Sequence, residues 1–419
     1  MSEKRYDIVV FGAASFVGKL LCRYLVTAFG EGELRWAAAG RSAEKLAQLR
    51  SSLGVPDERM PTLIADASDE NALFEMCSQT RVVISTVGPY ALYGEPLVKV
   101  CAQSGTDYCD LTGEVQWIRR MLDRYEADAK SSGARIVHCC GFDSIPSDLG
   151  VHFVQRRALE RFGRYCTHVK MRVRAMRGGF SGGTVASLLN VAREAAADPA
   201  LRRALGNPYL LCPPEDQPNA RQASLSLPQY DADFDAWLAP FIMAAINTRV
   251  VFRSNALSHY AYGRDFRYDE AMLMGKGIQG RLRAYSVGGA LGGFAAMTAI
   301  PPARWFLERF VLPAPGQGPS PASQAQGFYD LRFLGILDDG RAIRAKVTGD
   351  ADPGYGSTSK MLGQVGALLA RGARAGGNPG GFWTPATLLG DQLIEALQQK
   401  SGLSFQVLGD GKPALQPTA

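Results

Sequence analysis

The residues best suited to do chemistry lie at the start of the chain. In YDIVVFGAASFVG (6–18) an apolar strand runs into Gly12, Ala13, Ser15, Phe16, Val17 and Gly18, and an amphipathic helix, KLLCRYLVTAF, follows. A glycine at the strand end permits a tight turn, and small residues let backbone N–H groups approach a pyrophosphate at the positive end of the helix. Gly18 then lets helix and strand pack closely. The spacing departs from GxGxxG, with Val17 at the third glycine position, and from GxxGxxG, with Ser15 at the middle one. Dinucleotide binding in the service of hydride transfer is the chemistry implied.

Selectivity between cofactors is read at the end of the next apolar run. An NAD site places Asp or Glu there to accept from the ribose 2′-hydroxyl, whereas this chain has Gly40, Arg41 and Ser42, with Lys45 a turn later. A carboxylate would repel a 2′-phosphate, and Arg41 with Ser42 can bind one. The expected cofactor is NADP(H). Asp66, ending the third strand, is placed to reach the adenine. Two further polar clusters, VGPYALYGE (87–95) and GFDSIPSD (141–148), each follow a strand. Val87, Gly88 and Pro89 are expected to line the cofactor, with both clusters facing its nicotinamide end. Tyr90, Tyr93, Asp143 and Ser144 are candidates to orient substrate or deliver a proton. Structural roles stay open for them, because Pro89 and Pro146 make turns and Asp143 suits a helix cap.

The elements that must position these residues are short apolar runs alternating with helices. LRWAAAG (34–40), TLIAD (62–66), RVVISTVG (81–88), TDYCDL and ARIVHCC follow the first strand. That pattern predicts an α/β fold with a Rossmann-type doubly wound parallel sheet. From about residue 165 it changes: HVKMRVRAM sets Val169, Met171 and Val173 on one face and Lys170, Arg172 and Arg174 on the other, a strand with one wet face. YDLRFLGIL and RAIRAKVTG flank Asp338, Asp339 and Gly340 as a hairpin in the same sheet. A second, mixed α+β domain follows. The expected division is 1–150 for the NADP-binding domain, 151–355 for a substrate or dimerisation domain, and 356–419 for C-terminal helices packing back on the first. One of these helices is expected to start at Thr384 and Pro385 and run to about Lys400.

Several other chemistries are excluded or set aside. With 46 Lys and Arg against 40 Asp and Glu, scattered through the chain, the net charge of +6 gives no basic block for nucleic acid. Eight cysteines in apolar runs fit buried thiols in a reducing, cytoplasmic setting. His138, Cys139 and Cys140 end a strand, where adjacent side chains point to opposite faces, so no metal site is expected. Gly179, Phe180, Ser181, Gly182 and Gly183 match the nucleophile-elbow pattern, but the preceding strand carries a cation at every second position, unlike the buried strand an elbow needs. Asp231, Asp233 and Asp235 begin like a calcium loop, yet Ala236 and Ile242 stand where Gly and Glu are required; a solvated acidic turn is expected instead. Uncharged Ala284 to Ile300 is shorter than a membrane span and predicts a buried or interfacial helix. The adjoining PARWFLERFVLP would permit peripheral membrane contact, and PAPGQGPSPASQAQG reads as a flexible loop.

With these motifs in place, the chain resembles the saccharopine dehydrogenase-like oxidoreductases, particularly the bacterial trans-acting enoyl reductases. The likeness spans nearly the whole length. It is carried by GAASFVG, AAAGRS, STVGPYALYGEPLVKVCAQSGTDYCDLTGE, HCCGFDSIPSDLG, GGFSGGTVASLLN, WLAPFIMAAINTRVV, VTGDADPGYGSTSKM and GGFWTPATLLGDQL. The resemblance implies an NADP-type Rossmann domain, a second mixed domain and an association with lipid or glycolipid synthesis and with membranes. Members usually carry Gly where this chain has Ser15, whose hydroxyl is expected to donate to the phosphate. The expected reaction is NADPH-dependent reduction of an enoyl group on a lipid or polyketide acyl chain, presented by a carrier. A homodimer and contact with the inner face of the membrane complete the expectation. Saccharopine-type oxidoreduction at a C–N bond, or a non-catalytic lipid-associated role, are the alternatives.

Overall fold

Runs of Val, Ile and Ala that are apolar on both faces suit strands covered by helices on both sides. In the computed structural model, which describes residues 4–178, 182–223, 225–306, 326–373 and 379–411, they are used in that way. Strands β1 (Tyr6–Phe11), β2 (Trp36–Gly40), β3 (Thr62–Ile64), β4 (Thr80–Ser85), β5 (Asp107–Asp110) and β6 (Arg135–Val137) pair in parallel. A short late strand, β13 (Gly381–Trp383), adds beside β6, giving the order β13-β6-β5-β4-β1-β2-β3. Strand order reverses between β1 and β4, and a crevice opens above that point.

The first domain is completed by the end of the chain. Helix Thr358–Ala370 packs on helix Phe16–Ala28 and against β1, β4 and β5. Arg135 fixes its far end: the guanidinium pairs with buried Asp107 while donating to Leu369 O (2.8 Å) and Ala373 O (3.0 Å). Cations near the last carbonyls of a helix satisfy acceptors that have no intrahelical donor. The region after 356 is therefore not helical throughout. Thr384 caps a short turn, Pro385–Leu388, that breaks at Gly390 (φ +47°) before helix Gly390–Lys400.

A second seven-stranded sheet runs β14-β12-β11-β7-β10-β9-β8. Its members are β7 (His168–Arg177), β8 (Gln229–Asp231), β9 (Ala236–Pro240), β10 (Arg267–Gly275), β11 (Phe328–Ile336), β12 (Ala342–Gly349) and β14 (Leu403–Gly411). Only β7 and β10 pair in parallel; β11 and β12 form the expected hairpin. One face carries Val169, Met171, Val173 and Phe333 toward helix Ile145–Phe162, whose Gly150 leaves room for the Phe333 ring.

The opposite face of β7 is wet at Arg174 but not at Lys170 and Arg172. Arg172 is 2% exposed, pairing with Asp231 at 2.7 Å and Asp269 at 2.6 Å, and Lys170 reaches Asp233 at 2.5 Å. The expected solvated acidic turn is instead a clamp folded over these cations, with Asp231 itself buried. Alternation along β7 sets the basic side chains on one face; the acidic turn some 60 residues later and Asp269 of β10 supply the counter-charges of Lys170 and Arg172.

Two other expectations meet limits. Gly179, Phe180 and Ser181 lie outside the described residues, as do 307–325, which hold the end of PARWFLERFVLP and most of the glycine- and proline-rich stretch. Helix Gly277–Ala299 packs on β9 and β10 through Ala284, while Ile278, Leu282 and Tyr285 are exposed. Among the described residues no helix is long and apolar enough to cross a membrane.

Candidate dinucleotide site

Gly12 turns the chain at φ +81°, and a Cβ added there would sit 2.7 Å from Val87 Cγ2. A Cβ on Gly18 would lie 2.3 Å from Gly12 O. Only glycine fits either place. Ser15 caps the following helix, its Oγ accepting from Gly18 N at 3.0 Å and bonding Thr86 Oγ1 at 3.0 Å. Thr86 gives its own proton to Gly12 O (2.9 Å), so Ser15 donates to Thr86. In this arrangement the Ser15 hydroxyl is taken up within the loop. Ala13 N is likewise taken, by Ala39 O at 3.1 Å. Phe16 and Val17 head the helix, where backbone N–H groups have no intrahelical acceptor and can face an anion.

Above the loop lies a cavity of about 700 Å³ whose wall includes Ser15, Arg41, Lys45, Asp66, Val87 and Gly88. Ser42 caps helix Ala43–Leu53 by accepting from Lys45 N (3.3 Å), which fixes Arg41 and Lys45 on one rim. The Asp66 carboxylate accepts from Ser68 Oγ (2.7 Å) and Ser68 N (2.9 Å); these bonds, with Arg41 nearby, hold it below the usual carboxylate range.

The four catalytic candidates are not brought together. Pro89 opens the turn Tyr90–Tyr93, which sends its two tyrosines in opposite directions. Tyr93 lines the cavity together with Arg41 and Asp66, apart from Tyr90, Asp143 and Ser144. Tyr90 is buried, its hydroxyl donating to Ser85 O at 3.0 Å. Burial pushes that phenol far above its ordinary range. Ser144 is turned inward as well, donating to Asn247 Oδ1 at 3.2 Å. Asp143 is half-buried over the end of β5 and makes no hydrogen bond to a described residue; burial, reinforced by the charge of Asp110, pushes its carboxyl up to about 7. Thr86 and Leu92, which also line the cavity, were not singled out from the sequence, although both sit inside the block STVGPYALYGE.

Ser144 belongs to a buried network that ties the two sheets. Asn247 Nδ2 donates to Ser147 Oγ (3.1 Å) and Glu270 Oε2 (2.9 Å), and Tyr268 donates to Glu270 Oε1 (2.6 Å). Nearby, Asp148 accepts from Ser254 Oγ and Ala386 N. Burial raises Glu270 to about 7 and Asp148 to about 6. Both folded-state values lie above the unfolded ones, so the folded protein holds protons that the unfolded chain releases. Stability is fully present below the unfolded carboxylate range and falls as pH rises to about 7, by roughly 3 kcal/mol at most for Glu270. Urea denaturation at pH 5 and pH 8 should show this loss and a smaller one in Glu270→Gln; equal slopes in both proteins would contradict it.

Residues 8–137 match the family model described as the saccharopine dehydrogenase NADP binding domain. The first sheet and its loop are thus the cofactor unit of an oxidoreductase. A protein of Mycobacterium tuberculosis (strain ATCC 25618 / H37Rv), provisionally named a trans-acting enoyl reductase, is 42% identical over 418 residues, covering 97% of this chain and 98% of its own. Trans-acting enoyl reductases of Mycobacterium bovis (strain BCG / Pasteur 1173P2) and Mycobacterium ulcerans (strain Agy99) are 39% and 37% identical, covering 94% and 95% of this chain and 96% and 97% of their own. The apo saccharopine dehydrogenase (L-Glu forming) of Saccharomyces cerevisiae shares the fold, with a TM-score of 0.54 at 12% identity over 96% of this chain and 100% of that one. The chain belongs to the saccharopine dehydrogenase-like family, in the branch of the trans-acting enoyl reductases, and is an NADP-dependent oxidoreductase.

Proposed function

We propose that this oxidoreductase reduces the C=C bond of an enoyl thioester on a lipid or polyketide acyl chain. The observation that carries the reading is the reach of the likeness: identity to the enoyl reductases covers 97% of the chain, the second sheet included, and not only the cofactor domain. NADPH, when bound, supplies a hydride. The chain's own part is to hold it, with the amides of Phe16 and Val17 at the pyrophosphate, Arg41, Ser42 and Lys45 at the 2′-phosphate, and Asp66 and Tyr93 beside the adenosine. An Arg–phosphate bond is worth about 1.5–3 kcal/mol. Arg41→Ala should therefore weaken NADPH binding about 10- to 100-fold and leave NADH binding unchanged in a fluorescence titration. Equal affinity for the two cofactors in the unmodified protein would refute the role given to Arg41.

Exposed Ile278, Leu282 and Tyr285, interleaved with Arg281 and Arg283, support approach of a carrier-held acyl chain or a membrane surface along helix Gly277–Ala299. The decisive assay offers enoyl thioesters in one arm and a keto acid with an amine in the other. NADPH consumption is expected in the first. Turnover confined to the second would replace this reading with saccharopine-type chemistry.

A further inference from the structure

The turn Tyr90–Tyr93 needs a cap that its own sequence cannot supply. Pro89 stands at the N-cap with no side chain able to accept a hydrogen bond, so the first amides of the turn lack a local acceptor. Glu114, 24 residues on, fills the gap: its Oε1 accepts from Tyr90 N (2.8 Å) and its Oε2 from Ala91 N (3.0 Å). A carboxylate at the amide end of a helical turn is held by charge as well as by geometry. Glu114 is fully buried and its own backbone is fixed, because Glu114 N donates to Thr112 Oγ1 (3.2 Å) and Thr112 N to Asp110 Oδ1 (3.1 Å) at the end of β5.

The same carboxylate has a third donor. Ser187 Oγ donates to Glu114 Oε1 at 2.7 Å, and Ser187 belongs to helix Gly182–Ala197, which follows β7 of the second sheet. Two turns further along that helix, on the same face, Glu194 pairs with Arg120 of helix Val115–Ser132 at 3.1 Å and accepts from Asn190 at 2.7 Å. The helix also packs on helix Gly277–Ala299, the one with exposed Ile278, Leu282 and Tyr285. It thus joins a helix of the first sheet to a helix of the second.

The turn that Glu114 caps borders the cofactor cavity. Val87, Gly88, Leu92 and Tyr93 line its wall, and Tyr90 is packed on Trp117, with ring centroids 5.4 Å apart. One short side chain therefore touches both the turn that forms a wall of the cavity and a helix that follows the second sheet. Glu114 cannot follow a shift of Ser187 without drawing on the amides of Tyr90 and Ala91, and the reverse holds equally.

We propose that Glu114 is a positioning residue that couples occupancy of the cofactor cavity to the placement of helix Gly182–Ala197. NADPH settling against Val87, Gly88 and Tyr93 steadies the turn, the turn steadies the carboxylate, and the carboxylate holds Ser187. The two sheets thereby take up their working arrangement when the cofactor is in place. Such coupling is reciprocal, so a fixed helix favours NADPH by the same factor. Glu114 touches neither the cofactor nor the reacting atoms and acts through the turn. The inference rests on the cavity as the NADPH site and is independent of what is reduced.

Amide hydrogen exchange of the full-length protein, with and without NADPH, provides the test. Couplings between sites commonly amount to about fivefold or more, so NADPH should slow exchange about fivefold in 182–197 as well as in 87–93. In Ser187→Ala, which removes one hydroxyl from a half-buried position, slowing should persist at 87–93 and vanish at 182–197. Glu114→Gln, with one carbonyl oxygen for three donors, should lose the response of 182–197 as well. Arg120→Ala cuts the other tie to that helix without touching Glu114. It should raise exchange of the helix and leave the NADPH response in place, which separates coupling from simple support. Slowing confined to 87–93 in the unmodified protein, a response that survives Ser187→Ala, or one lost equally in Arg120→Ala overturns the inference. Slowing at neither segment overturns the NADPH site and the inference with it.

Discussion

Gly18→Ala should cost about 100-fold in NADPH affinity, although it adds a single methyl group. The added Cβ would lie 2.3 Å from Gly12 O and 2.8 Å from Ala13 Cα and O, and all three belong to the backbone of the phosphate turn. A side chain could rotate away, but these atoms cannot yield without moving the turn off the helix end. Gly18 N also donates to Ser15 Oγ, so displacement breaks the cap that joins Ser15 to Thr86. Overpacking of this kind costs about 1–3 kcal/mol in stability. The larger effect should fall on binding, since the amides that face an anion shift together. Fluorescence titration and urea denaturation of the variant separate the two effects. Affinity within about threefold of the unmodified protein would show that the loop is not the pyrophosphate site.

Removing the cation at the centre of the second sheet should give the largest loss of stability without touching the cofactor. Arg172→Leu leaves Asp231 and Asp269 buried and short of a partner, and breaking a buried pair from one side costs about 3–5 kcal/mol. Lys170 and His168, which also contact these carboxylates, should keep the loss toward the lower end. Adding Asp231→Asn should restore part of it, because an unpaired charge and not lost volume is the main penalty. NADPH affinity should stay the same. Urea denaturation reads the first effect; a loss below about 1 kcal/mol would mean the acidic turn is no clamp.

These cases show where the chain's function was legible before its structure. The phosphate turn could be read because its chemistry is local: a strand, two glycines six residues apart and a helix must meet whatever the rest of the chain does. Arg41 and Ser42 were equally readable, being fixed by the end of β2. The burial of Arg172 was not, since alternation along β7 cannot reveal that Asp231 will fold over it. Nor could the turn after β4 be read from VGPYALYGE, where one short helix sets Tyr93 in the cavity wall and turns Tyr90 into the core. Strands β13 and β14 escaped notice for a related reason: three residues pairing with β6 across more than 240 positions leave little periodic signal. Tyr355 lay in a glycine-rich block that composition marks as a loop, and only the fold brings it against Phe16.

The late return of Thr358–Ala370 and β13 to the first sheet bears on how the protein is made. A ribosome that has released residues 1–150 has produced the loop and six strands, yet not the helix that covers β1, β4 and β5 nor the acceptors that Arg135 needs. Until then that buried cation and the apolar face beside it stay exposed to solvent and to other chains. Nascent protein must therefore hold an unfinished first sheet through most of its synthesis.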